Sequence, residues 1–217
     1  MTAALSQNSL ESLLAEVGQY YSRKIGTFGA TPLGVDWSCV PTQQMRFVHL
    51  LKLCNFDAPI TLNDVGCGYG ALLAFLAKRF RGKAVNYLGI DLSPAMIAHA
   101  QVLWRKRQDT AFAVASISPR TADYSIASGI FNVKLTQPVD LWEHFVAKTL
   151  ADMHATSRRG FAVNFLAPSS AQTPAIPELY SAHPDVWRQH CEQAFNSRVE
   201  IIAGYGMREY TLLARTA

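Results

Sequence analysis

No run of about 18 uninterrupted apolar residues occurs in the 217 residues, which excludes a conventional membrane-spanning helix. The first residues, Met1-Thr2-Ala3-Ala4-Leu5-Ser6, carry no basic flank ahead of an apolar run, so no signal peptide is expected. Cysteine is scarce. Cys39, Cys54, Cys67 and Cys191 stand far apart, with no C-x-x-C pair and no His/Cys cluster. That pattern argues against zinc and against a disulfide scaffold, so no metal is expected and the thiols are read as free ones in a reducing cytoplasm. Charge is also thin, at 17% of residues, with a net charge of +4. The densest basic run, Arg105-Lys106-Arg107, falls at the end of an expected helix, where cations complement the helix dipole. Basic residues interleaved with aromatics are missing, so no nucleic-acid partner is expected. No internal repeat or low-complexity tract is present.

Apolar residues are abundant, at 49%, enough to fill the core of one generous α/β domain. The stretch 61–76, T-L-N-D-V-G-C-G-Y-G-A-L-L-A-F-L, reads as a buried strand end, a glycine turn and the start of an amphipathic helix. Gly66, Gly68 and Gly70 alternate, and glycine lets a ligand approach the backbone with no Cβ in the way. Asp64 precedes them, and Asp91 closes the next expected strand. A glycine turn with an acid at the tip of the neighbouring strand is how doubly wound folds hold an adenosine-type cofactor.

Around this stretch the chain alternates. Helices are expected over 8–24 and from about 41 to 53, joined by a glycine-containing loop with Phe28, Val35 and Trp37. Strands follow at 61–65, 84–90, 111–115, 123–128 and 160–166, with helices at 70–80, 94–107, 139–156 and 184–195. Ser93 caps the helix that Pro94 opens. Segments 198–203 and 208–213, joined by Gly204-Tyr205-Gly206, form a hairpin. The expected architecture is α/β: a doubly wound, mostly parallel seven-stranded sheet with an antiparallel last strand and an N-terminal helical cover. The expected division is 1–57 for the N-terminal helices and lid loop and 58–217 for the cofactor-binding core.

The turn has two parsings. As G-x-G-x-x-A (Gly66, Gly68, Ala71) it fits a nicotinamide or flavin dinucleotide; as D-x-G-x-G-x-G it fits S-adenosylmethionine. Asp64 decides. A carboxylate at the strand tip repels a pyrophosphate laid over the turn and attracts a sulfonium and an ammonium.

These motifs resemble the class I S-adenosylmethionine-dependent methyltransferases over about residues 60–217: D-V-G-C-G-Y-G at the turn, Asp91 in L-G-I-D-L-S-P-A-M-I, and the antiparallel last strand. A small bacterial subgroup is similar also in G-V-D-W (Gly34-Val35-Asp36-Trp37), A-S-G-I-F-N at 127–132 and A-V-N-F-L at 162–166. The resemblance implies that Gly66, Cys67 and Gly68 line the methionine part of the cofactor with backbone. It places Asp64 near the amino group, Asp91 on the ribose hydroxyls, Leu92 and Met96 on the adenine, and Ser128 and Gly129 on the sulfonium side. Many relatives carry an Asp after strand three; here Ser116 stands there, which moves adenine recognition to a neutral hydroxyl and the Ile117 backbone.

Acceptor residues are harder to name. N-P-P-Y and D-P-P-Y are missing after strand four, and so is Pro-Cys, which argues against nucleobase amine and 5-methylcytosine chemistry. Tyr21 and Trp37 on the N-terminal cover and Asn132 after strand four are the expected substrate contacts. Among possible bases, His144, His154, His190, Tyr20, Tyr21 and Tyr180 rank behind His183, which sits by the proline-rich segment that forms part of the acceptor lid in the family. The resulting expectation is a methyltransferase acting at O or N of a small molecule, as a monomer or homodimer. A protein or RNA methyltransferase, or an inactive cofactor-binding partner subunit, is the alternative.

Overall fold

Strands form where apolar runs are bounded by turn residues: β1 (Ile60–Val65), β2 (Val85–Asp91), β3 (Thr110–Val114), β4 (Ala122–Ala127), β5 (Ser157–Leu166), β6 (Arg198–Ala203) and β7 (Glu209–Arg215). The computed structural model describes residues 7–169 and 176–216 and arranges these strands as one sheet in the order β3-β2-β1-β4-β5-β7-β6. The first five pair in parallel, and β7 runs antiparallel to both β5 and β6, as expected from the hairpin. Strand order reverses between β1 and β4. That is the switch point at which loops diverge beyond the strands' C-terminal ends and leave a crevice for a ligand.

Among the described residues, six α-helices flank the sheet: α1 (Gln7–Phe28), α2 (Val40–Leu50), α3 (Ala71–Arg79), α4 (Pro94–Trp104), α5 (Val139–Ala155) and α6 (Pro184–Phe195). Ser93 caps α4, its hydroxyl accepting from the Met96 N–H at 3.1 Å with Pro94 at the first helical position. α4 stops at Trp104, so the basic run 105–107 lies on the turn beyond the helix. β5 starts earlier than expected, at Ser157. The polar Ser157-Arg158-Arg159 stretch reads as loop, but the Ser157 hydroxyl bonds to Ser125 on β4 and both arginines flank Asp123.

The N-terminal helices do not sit together over the sheet. They straddle it. Leu10, Leu13 and Val17 of α1 join the core on the face that carries α5 and α6, packing with Leu88, Ile90, Val65 and Phe145. Phe47 and Leu50 of α2, with Leu51 and Leu53 beyond it, join the opposite core with Leu72, Leu76, Tyr87 and Ile126. Residues 115–121 cross from β3 to β4 without a helix, and α1 covers apolar surface on that face of the sheet. Its Ser22 hydroxyl lies 2.7 Å from that of Ser93, and Gly18 passes so close to Leu92 that a Cβ would meet the Leu92 carbonyl at 3.0 Å. α1 is thereby fixed over the sheet's C-terminal edge. The middle of the proline-rich segment expected as an acceptor lid, residues 170–175, lies outside the described residues.

Candidate active site

β1 delivers Asp64 and then turns sharply through Gly66, Cys67 and Gly68. Gly66 holds φ 71°, and a Cβ there would lie 2.1 Å from Ile130 Cγ2, so both conformation and space require glycine. The Gly66 and Cys67 N–H groups donate to the Ile90 carbonyl on β2, while the Gly68 N–H donates to Asp91 Oδ2 at 2.9 Å. Ser93 N–H donates to the other oxygen, Asp91 Oδ1, at 2.8 Å. The turn and the acid are thus one hydrogen-bonded unit, in which Asp91 fixes the loop that it faces. Burial raises the Asp91 pKa, and the Ser93 and Gly68 amides oppose that rise.

Asp64 is almost fully buried and accepts a hydrogen bond from the Tyr87 hydroxyl on β2. Burial pushes its carboxyl up to about 7, against the Tyr87 hydrogen bond and with help from the Asp91 charge. A carboxyl in that range ionises readily once a cation arrives beside it. Cys67 is packed under Gly89 and its thiol donates to the Gly68 carbonyl; burial holds the thiol far above its usual range, which removes it as a nucleophile.

These groups open into a cleft that is partly continuous with solvent. The structure brings together along it Tyr21, Trp37, Asp64, Gly66, Cys67, Gly68, Asp91, Leu92, Met96, Ser116, Ser128 and Gly129. The Ser128 hydroxyl is buried with no partner among the described residues, which leaves it free for a ligand. Asp64 and Asp91 are the charged side chains of the lining; the remainder are neutral. No arginine, lysine or histidine lines the cleft among the described residues, and residues 1–6, 170–175 and 217 contain none.

Two expected site residues, His183 and Asn132, lie off the cleft, and the side chain of a third, Ile117, which was expected to act through its backbone, points away from it. His183 is a correction. Its side chain is 67% exposed at the start of α6, where Nδ1 accepts from the Asp185 N–H, so it serves as a helix cap away from the cleft. The reason is local: Pro184 opens α6, and the residue before it takes the extended conformation of a cap. Ile117 turns outward, half exposed, in the helix-free crossover, while Ser116 and Ala115 line the cleft. Asn132 is buried behind the β4 turn rather than on the cleft, with neither amide atom partnered among the described residues. Three of the other candidate bases are also occupied elsewhere, while Tyr21 lies on the cleft. His154 and His190 pack on Phe195, and the Tyr180 hydroxyl donates to Glu143 and accepts from Trp187 Nε1.

Reading the sequence missed Gln43, Phe47 and Tyr69, which also line the cleft. Tyr69 was findable, since it sits between two turn glycines. Gln43 and Phe47 required knowing that α2 starts at Val40 and runs beneath Trp37.

A family model described as a methyltransferase domain matches residues 63–160. The Mycobacterium tuberculosis protein Rv1506c, named as a methyltransferase, is 38% identical over 167 residues, which is 77% of this chain and 99% of that protein. Among solved structures, magnesium protoporphyrin IX methyltransferase (ChlM) from Synechocystis PCC 6803, with bound S-adenosylmethionine, superimposes with a TM-score of 0.61 at 17% identity, over 100% of both chains. The [4+2]-cyclase SpnF superimposes with a TM-score of 0.68 at 14% identity, covering 93% of this chain and 95% of its own. At these identities the structural likeness establishes the fold, and a cyclase on the same fold shows that fold alone does not fix the reaction.

Proposed function

The chain belongs to the class I S-adenosylmethionine-dependent methyltransferases, and from that premise we propose that it methylates an O or N atom of an uncharged small molecule. The observation that carries this reading is the charge of the cleft: two carboxylates, Asp64 and Asp91, and no cationic side chain among the described residues. Such a cleft favours a cationic cofactor and gives no counter-charge to a phosphate, which weighs against a nucleic-acid acceptor. ChlM, by its name, acts on a small molecule, and this supports the same class of acceptor.

In this reading the cofactor's sulfonium carries an electrophilic methyl group and leaves as a neutral thioether. Asp91, already aligned by Gly68 and Ser93, offers its remaining lone pairs to the ribose hydroxyls. Leu92 and Met96 hold the adenine, with Ser116 and the Ile117 backbone at its edge. Asp64 faces the amino group and becomes ionised as that cation binds. Gly66, Cys67 and Gly68 present backbone to the methionine part, and Ser128 and Gly129 flank the reacting side. Tyr21 and Trp37 form the acceptor wall. None of these groups is a good base near neutral pH once Asp64 is committed to the amino group, so the chain's contribution is orientation and exclusion of water. The acceptor attacks with its own lone pair and releases any proton to solvent.

The four cysteines remain free thiols in the structure, two of them buried, which suits the reducing cytoplasm, where we place the enzyme as a monomer or homodimer. The test is a methyl-transfer assay against a metabolite library, reading S-adenosylhomocysteine, beside calorimetry with S-adenosylmethionine. Turnover of an uncharged small acceptor is expected; absence of S-adenosylmethionine binding by the isolated protein overturns the reading.

A further inference from the structure

Arg46 and Glu209 form a buried ion pair beyond the cleft lining, joining α2 to the start of β7. Arg46 Nε donates to Glu209 Oε2 at 2.6 Å, Nη2 donates to Oε1, and Nη1 donates to the Thr42 carbonyl at 3.2 Å. Burying two charges carries a desolvation cost that apolar residues of the same volume avoid, so the pair calls for an explanation other than stability. Its surroundings supply one on both sides.

On the arginine side, the guanidinium carbon lies 3.5 Å from the centroid of the Trp37 ring. That is a stacked cation–π contact, available to the planar guanidinium and not to an ammonium in the same way. The far edge of the same indole rests on Gly129, where a Cβ would fall 2.2 Å from Trp37 Cζ2. On the glutamate side, Glu209 Oε2 accepts from Asn164 Nδ2 at 3.2 Å, and Asn164 Oδ1 accepts from the Gly129 N–H at 2.8 Å. The chain of contacts therefore closes on itself: Trp37, Arg46, Glu209, Asn164, Gly129 and Trp37 again. It draws on the N-terminal loop, α2, β7, β5 and the β4 turn.

The loop before Trp37 is shaped to deliver it. Asp36 adopts a left-handed φ of 59°, unusual for a residue with a Cβ, and is held there by an ion pair with Lys24. Val35 Cγ1 lies 3.1 Å from where a Cβ on Gly68 would stand. The G-V-D-W, A-S-G-I-F-N and N-F-L stretches, far apart in the sequence, meet around this one ring of contacts.

Resting on the methyltransferase reading, we infer that Arg46 and Glu209 are positioning residues for the acceptor wall. They fix the Trp37 indole and the Gly129 peptide relative to each other, and the acceptor is aligned against that fixed surface. Neither touches the turn that holds the cofactor. Loosening the pair moves the acceptor wall, while Asp64, Gly68 and Asp91, held by contacts outside this ring, keep the cofactor bound. A displacement of about 1 Å at an aligning residue is sufficient to lower turnover roughly a hundredfold.

The test does not need the acceptor. The Trp37 contribution to fluorescence is obtained as the difference between the parent protein and Trp37→Phe, with acrylamide as quencher and S-adenosylhomocysteine as the calorimetric probe. The charge-free double variant Arg46→Met/Glu209→Leu keeps the volume and is expected to fold; Arg46→Lys, measured beside it, keeps the charge and removes the planar fork. In both, the Trp37 emission should shift to the red and become more open to acrylamide, while the dissociation constant for S-adenosylhomocysteine stays within about twofold of the parent. An unchanged Trp37 signal in both variants overturns the inference. So does a loss of S-adenosylhomocysteine affinity alongside the Trp37 change, because the pair would then act on the cofactor site. If the parent itself binds no S-adenosylhomocysteine, the methyltransferase reading fails, and the Trp37 signal alone still decides whether the pair positions the indole.

Discussion

At one end of the cleft, Asp64, Gly66, Gly68 and Asp91 come from two adjacent parallel strands and the turn between β1 and α3, and are joined mainly by backbone hydrogen bonds. At the other end, Trp37 and Gly129 come from distant stretches and are joined, through the buried Asn164 behind them, by the side chains of a buried ion pair. The first end is nearly determined by local geometry: once β1 and β2 pair, the turn and Asp91 have few alternatives. The second depends on long-range packing of α2 against β7. Changing one of its charges disturbs several elements at once. The difference suits an enzyme whose cofactor is constant and whose acceptor surface can be re-specified by a few side chains.

The largest expected effect therefore lies at the acceptor end and concerns stability. Glu209→Ala leaves Arg46 buried without its counter-charge, and urea unfolding should show a loss of about 3–5 kcal/mol. The double variant Arg46→Met/Glu209→Leu should fall within about 1–2 kcal/mol of the parent, since it removes both desolvation costs together. Equal losses in the two would mean that the elements are held by shape and not by the pair, and the contrast between the two ends would collapse.

Next in size is the cofactor end. Asp91→Ala removes the carboxylate proposed to accept from the ribose and frees the Gly68 and Ser93 amides. Calorimetry with S-adenosylmethionine should show a loss of about 2–3 kcal/mol, roughly a hundredfold in Kd. A loss below about tenfold would move the ribose away from Asp91.

Acidification should separate the two ends without mutation. Burial pushes the Asp64 carboxyl up to about 7 in the free protein, and a cation beside it requires the ionised form. Affinity for S-adenosylmethionine should be constant above that pH and weaken about tenfold per pH unit below it, as protonation competes with binding. Asp64→Asn should flatten the slope. The stability of the free protein runs the other way. The folded carboxyl has a pKa raised above its ordinary 3.8, so its contribution is fully present below that value and is lost as pH rises through about 7. A thermal melt series across that window, with and without cofactor, reads both signs. An affinity independent of pH would place Asp64 away from the cationic group.

The cofactor end was legible in the sequence because its signal is contiguous. Asp64, the three alternating glycines and Asp91 sit at strand tips whose periodicity is strong, and the hairpin glycines announced the antiparallel strand. The acceptor end was legible only in fragments. Trp37 and Gly129 stood out as residues, but their meeting, and the role of Asn164 between them, depends on the pairing of β4 with β5 and of β5 with β7. Arg46 and Glu209 gave no signal, since a charged residue on an amphipathic helix and another at a strand start read as solvent-facing. The split of α1 and α2 to opposite faces was equally hidden: both have one apolar side, and periodicity does not say which face of the sheet it meets.

The smallest expected effect belongs to His183, the residue that chemistry favoured as a base. Its imidazole stands mostly in solvent, and its contacts are to Asp185 alone among the described residues: the weak cap on the Asp185 N–H at 3.4 Å and the Asp185 carboxylate at 3.3 Å. His183→Ala removes that cap but leaves the Asp185–Arg188 and Arg188–Glu192 pairs along α6. Stability should therefore fall by no more than about 0.5–1 kcal/mol, the low end of cap substitutions. Methyl transfer should stay within about twofold of the parent at every pH, because no proton passes through an imidazole outside the cleft. A change in the pH profile of turnover would bring His183 back to the acceptor end.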